Sequence, residues 1–133
     1  MNNKKQILIP KQIVTANAAD DFLTNAAVEI TNGVITKIDS VEKFNLSGYG
    51  ENVYRFPKLT LIPGFVQTHI HLCQVLFRGL ADDLLLLDWL QQRIFPFENN
   101  HDKTSIRASA KLGIHELQTC GTTTVLDMGT IKH

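Results

Sequence analysis

The stretch Leu61-Ile-Pro-Gly-Phe-Val-Gln-Thr-His-Ile-His-Leu72 most limits how this chain can fold. It reads as an apolar strand ending in two histidines one residue apart, His69 and His71. Strand side chains alternate between faces, so residues i and i+2 point the same way. The two imidazoles therefore stand side by side at the strand's carboxyl end. From there both can reach one metal ion at zinc–nitrogen distances of ~2.0–2.1 Å. An HxH pair alone is a weak signal, since histidine also serves in cores and at surfaces. Its place at the end of a strand strengthens it, because α/β folds gather their chemistry there.

Composition narrows the partners. The 133 residues are 44% apolar and 20% charged with zero formal net charge, enough for one modest core and without a basic surplus for nucleic acid. The longest apolar run, Leu84 to Leu87, is too short to span a bilayer. The start, Met1 to Pro10, lacks the h-region and cleavage site of a signal peptide. Cys73 and Cys120 form no CxxC, so a reduced, cytoplasmic protein with no nucleic-acid or membrane partner is expected. The sequence stops at Gly129-Thr-Ile-Lys-His133, directly after a strand-like run, which is an odd place for a complete domain to end.

Residues 1–60 alternate short β-type runs with turn signals. Gln12 to Ala16 is one run, closed by the Asn17 to Asp21 turn cluster. Ala27 to Thr31 and Val34 to Ile38 flank Asn32-Gly33, a type I′ hairpin signal, since both residues tolerate positive φ. Val53 to Phe56 is a further run; Pro57-Lys58 is expected to interrupt it before Leu59 to Ile62. After the loop Leu72 to Asp83, a helix is expected over Leu84 to Arg93, capped by Asp82 or Asp83 and ended by Pro96. A second helix opens at His101 or Asp102 and runs to about Thr119, with Cys120-Gly121 as its stop and Thr122 to Met128 as a strand. Strand, helix, helix, strand predicts a βαβ unit with a parallel sheet.

Motif order makes the reading specific. Pro63 to His71 resembles the first barrel strand of the amidohydrolase superfamily. Leu76-Phe-Arg-Gly-Leu-Ala-Asp-Asp83, Asp88-Trp-Leu90, Ile94-Phe-Pro-Phe-Glu98 and Gly121-Thr-Thr-Thr124 resemble the branch holding adenosine-type deaminases and chlorotriazine hydrolases. Leu126 to His133 looks closest to the 5′-deoxyadenosine deaminase type. The resemblance implies an α/β fold: the start of a (β/α)₈ barrel over 61–133, preceded over 1–60 by part of a small β-sandwich. It implies one divalent metal, most often zinc, with His69 and His71 as its first two ligands; histidine suits iron as well. The remaining ligands and the acid/base glutamate are expected beyond residue 133, so this chain holds no catalytic residue of that kind. A barrel takes ~250 residues, and the sequence is expected to be the opening portion of an enzyme that is homo-oligomeric at full length.

The resemblance further implies that Glu98 binds ribose hydroxyls, as a carboxylate accepts two hydrogen bonds from a vicinal diol. The bland alternative is a surface acid beside a helix. Trp89 is either a wall for the substrate ring or part of a core. Arg78 steers an anion or shapes the turn after the strand. Cys73 is expected to be a small buried hydrophobe rather than a thiolate ligand, Cys120 to be structural, and His101 and His115 to cap or face solvent. Asp127 and His133 fall where residues at a barrel mouth would be.

Three readings remain open. The favoured one is metal-assisted deamination of an adenosine-like nucleoside. The second keeps the superfamily and changes the substrate to guanine, cytosine or a chlorinated triazine. In the third the chain is a non-catalytic fragment, poorly soluble, with weak zinc uptake.

Overall fold

The computed structural model describes residues 4–129. The chain divides into two compact units, the first ending at Pro63 and the second beginning at Gly64.

The first unit is a five-stranded sheet built around β1, Lys5–Val14. One edge of β1 pairs antiparallel with β3, Ala26–Thr31, through Leu8↔Val28, and then with β2, Phe22–Thr24, from Gln12↔Thr24. The other edge pairs parallel with β5, Val53–Leu61. β1 is longer than the sequence suggests because Pro10 falls in the gap where β3 has ended and β2 has not begun, so its missing N–H costs no ladder bond there. Pro57 does not break β5 for a similar reason. The register jumps from Pro10↔Phe56 to Gln12↔Thr60, and the proline sits inside that bulge. Leu59 to Leu61 therefore belongs to β5 and not to the histidine strand.

The core lies on both faces of β1. On a regular strand Ile7 and Ile13 would share a face. Here Ile7 packs with Ala27 and Phe44, whereas Ile13 joins Ala26, Val28 and the half-buried Leu8 on the other side. β4, Val34–Ser40, closes the expected hairpin with β3, and Asn32 and Gly33 adopt φ of 53° and 83°, as a type I′ turn requires.

The second unit carries β6, Phe65–Ile70, paired parallel with β7, Thr122–Asp127. Gly64 lets the two meet: a Cβ there would lie 2.3 Å from Thr123 Cγ2. Between the strands come a 3-10 turn, Leu72–Phe77, and helices α1, Leu86–Trp89; α2, Phe95–Asn100; and α3, Lys103–Thr119. Asp102 caps α3 through a reciprocal capping box with Ser105, and Gly121, at φ 81°, follows its end. Buried Ser109 donates to the Leu72 carbonyl at 2.7 Å, which seats α3 on the turn after β6.

Two helix expectations fail. Neither Asp82 nor Asp83 caps α1, because the helix starts at Leu86 with extended Leu85 as its N-cap and no side-chain cap bond. Nor does Pro96 stop the helix. Between α1 and α2 the backbone stays helical through a π turn, Leu90–Ile94, in which the Phe95 N–H donates to the Leu90 carbonyl. Pro96 then follows directly on the π turn, in the first turn of α2, and the helical backbone continues past it. Among the described residues no helix is long and apolar enough to cross a membrane.

Candidate active site

β6 ends at Ile70, and His71 follows in still-extended backbone, φ −125° and ψ 86°. The β6–β7 register shifts between Gln67 and Ile70, yet the two imidazoles still point the same way. Their Nε2 atoms lie 3.0 Å apart and their ring centroids 5.0 Å. Without a metal that contact is a hydrogen bond, one imidazole donating and the other accepting. Two ligands of one ion with bonds of ~2.0–2.1 Å stand roughly 3 Å apart. The pair has the spacing and the nitrogen ligand atoms that one divalent ion asks for. It is not a complete set: among the described residues no group of three or more His, Cys, Asp or Glu converges.

A cleft of about 560 Å³ opens beside the pair, lined by His69, His71, Gln74, Trp89, Phe95 and Glu98 among others. That is within the ~300–1,000 Å³ range of small-molecule pockets. Trp89 is half-buried and faces the same space, so it belongs to the cleft wall and not only to a core.

Glu98 is half-buried and its Oε1 accepts from Gln74 Nε2 at 2.8 Å and from Cys73 Sγ at 3.4 Å. Cys73 is 4% exposed, and burial first, then Glu98, pushes its thiol up to about 11. It is a buried, protonated thiol, as the sequence suggests, and a poor thiolate ligand.

His101 departs from expectation. It is buried, stacks on Phe77 with centroids 4.9 Å apart, and places Nε2 2.8 Å from the Cys73 carbonyl and Nδ1 2.8 Å from Ser105 Oγ. Since a carbonyl only accepts, Nε2 carries a proton, while Nδ1 pairs with the Ser105 hydroxyl. The ring is a tie from α3 to the residue two beyond His71. Sequence alone gave no signal for it, because the partner is a main-chain carbonyl 28 positions away.

Arg78 shapes the turn: Nε donates to the Val75 carbonyl, and its fork grips Glu116 at 2.8 and 2.9 Å. Asp127 Oδ1 accepts from the Leu72 N–H at 3.1 Å, at the end of β7 beside the histidine turn. Cys120 is exposed. His133 and the end of the Leu126–His133 stretch lie outside the described residues. Gln74 was missed; its signal was its position three residues past His71, one turn along the 3-10 segment.

Comparison with known proteins agrees with the motifs. Residues 60–133 match the amidohydrolase family. Over 124 residues the chain is 36% identical to a 5-methylthioadenosine/S-adenosylhomocysteine deaminase of Shouchella clausii, covering 93% of this chain and 29% of that protein. An adenosine deaminase of Xanthomonas campestris, solved with bound zinc, superposes with a TM-score of 0.76 at 30% identity, over 92% of this chain and 28% of the other. A guanine deaminase from C. acetobutylicum, solved with guanine in its active site, gives 0.80 at 23% identity over 96% and 30%, a likeness of fold alone. The chain thus spans under a third of these relatives, and its fold is the expected one, the opening strands and helices of an amidohydrolase barrel after part of a β-sandwich. A family match over more than half its residues, on the stretch that holds the histidine pair, places the chain in the amidohydrolase family.

Proposed function

We propose that this chain supplies the first two metal ligands and one wall of the substrate cleft of a hydrolase that deaminates an adenosine-like nucleoside. The observation that carries the reading is the 3.0 Å approach of His69 and His71 Nε2 in the cleft that Trp89 and Glu98 also line. The zinc of the Xanthomonas relative and the all-nitrogen donors support zinc as the ion. When bound, such an ion lowers the pKa of water towards ~7 and so supplies hydroxide at neutral pH.

The chain's own residues bind and orient. His69 and His71 hold the ion at the floor of the cleft. Glu98 accepts hydrogen bonds from the ribose diol, and Trp89 covers an aromatic ring and excludes water from it. Proton transfer to the purine ring and to the leaving ammonia falls to a residue outside 1–133. On this reading residues 61–133 are the first units of the barrel and residues 1–60 part of the sandwich.

The test is turnover by the full-length enzyme of 5′-methylthioadenosine, S-adenosylhomocysteine, adenosine, guanine and a chlorotriazine. Glu98→Gln should lower kcat/KM for the ribonucleosides by about tenfold or more, the worth of a charged hydrogen bond. Turnover of guanine or triazine with no nucleoside activity would replace this reading with its rival.

A further inference from the structure

The Glu98 carboxylate is held by one side only. Gln74 Nε2 donates to Oε1 at 2.8 Å, the Cys73 thiol shares its one proton between Oε1 at 3.4 Å and the Gly129 carbonyl at 3.5 Å, and among the described residues no donor is seen on Oε2. Each carboxylate oxygen offers about two lone-pair directions; on Oε1 the Gln74 amide takes one and the thiol lies against the other. Both donors come from the turn that follows the histidine strand. Gln74 N–H bonds the His71 carbonyl at 3.0 Å, and the Cys73 carbonyl is anchored by His101. The support is thus continuous from the histidine pair, through one turn of backbone, to the carboxylate on α2.

We propose that Gln74 is a positioning residue that fixes the Glu98 carboxyl group so that Oε2 alone meets the substrate diol. The inference rests on the nucleoside reading of Glu98 given above. A carboxylate with both oxygens free turns about its last bond and meets a diol in several ways. One pinned through Oε1 presents a single oxygen in a set direction, which is the preorganisation that specificity needs. The amide is the stronger and shorter of the two supports, so Gln74 sets the orientation and Cys73 fills the space behind it.

The experiment is a double-substitution cycle in the full-length enzyme, with a ribonucleoside and its 2′,3′-dideoxy analogue as probes. Gln74→Met keeps volume and removes the donor. It should lower kcat/KM for the ribonucleoside about tenfold, chiefly through KM, with a much smaller loss for the dideoxy compound. In the Glu98→Gln background it should add little, because the two residues act as one unit. The Gln74 side-chain amide resonance should move on Glu98→Gln and stay put on Glu116→Gln, whose partner is Arg78. Should Gln74→Met fail to fold, Gln74→Asn keeps the amide but not its reach and should show the same pattern. Equal losses on both probes, or full additivity with Glu98→Gln, would overturn the assignment. A silent Glu98→Gln with no preference for ribose is a different result: it removes the nucleoside reading itself and this assignment with it.

Discussion

Trp89 and Glu98 line one cleft although nine positions of continuous helical backbone separate them. In an unbroken α-helix, positions nine apart point ~180° from each other. The π turn at Leu90–Ile94 takes up one extra residue, so Glu98 sits as though eight positions on, within ~80° of Trp89. Leu90 and Phe95 line the same cleft.

Deleting the exposed Gln92 should convert the π turn to α and leave Glu98 in the cleft, since it then stands eight positions from Trp89 on a regular helix, at the same ~80°. The full-length deletion variant is expected to keep its preference for ribonucleosides over dideoxy analogues, with helix content by circular dichroism kept. Loss of that preference, to the level of Glu98→Gln, would mean that the π turn does not absorb one residue of register.

Metal uptake should depend on both histidines. His69→Ala and His71→Ala are each expected to weaken zinc binding at least about tenfold, because each removes one of few nitrogen donors. Zinc content after competition with a chelator reads this without any assay of turnover. Retention of stoichiometric zinc by either variant would exclude the pair as ligands.

The His101 tie should matter to stability more than any surface ion pair. His101→Ala leaves the Cys73 carbonyl without its donor and opens a void against Phe77, for a cost of about 2–3 kcal/mol in urea unfolding. A cost below that of Arg78→Ala would contradict the role given to the ring.

Arg78 and Glu116, for all their two-pronged geometry, remain 59% and 45% exposed at their side chains. Solvent screens such a pair, so Arg78→Ala is expected to cost no more than about 1 kcal/mol, with the effect shrinking in high salt.

The first unit should show an acid-sensitive step of its own. The Glu29 carboxyl is pulled from 4.5 to about 2 by the Thr36 hydroxyl first, then Tyr49, with help from Lys5. A carboxyl held down in the folded state adds stability above its unfolded pKa and loses it as pH falls towards the folded one. Melting temperature should therefore drop between pH 4.5 and 2 more steeply in wild type than in Glu29→Gln. Parallel curves would show that other carboxylates govern the acid limb.

How much of this was written in the sequence can be judged residue by residue. Alternation alone predicted that His69 and His71 face one way, since a two-residue period needs no tertiary partner to operate. Asn32-Gly33 and the stop at Cys120-Gly121 were legible for the same reason: φ preferences and cap chemistry act over a few residues. Proline was misread twice. Pro57 and Pro96 are breakers only where a partner N–H is demanded, and whether it is depends on a bulge against β1 and on a π turn upstream. His101 was misjudged because its acceptor, the Cys73 carbonyl, lies on another element. Short-range patterning thus determined the histidine pair, the turns and the parallel βαβ order. Packing decided the rest, including the face on which Glu98 lies, the oxygen it leaves free and the burial of His101, because hydrogen-bond partners distant in sequence are chosen only when the elements meet.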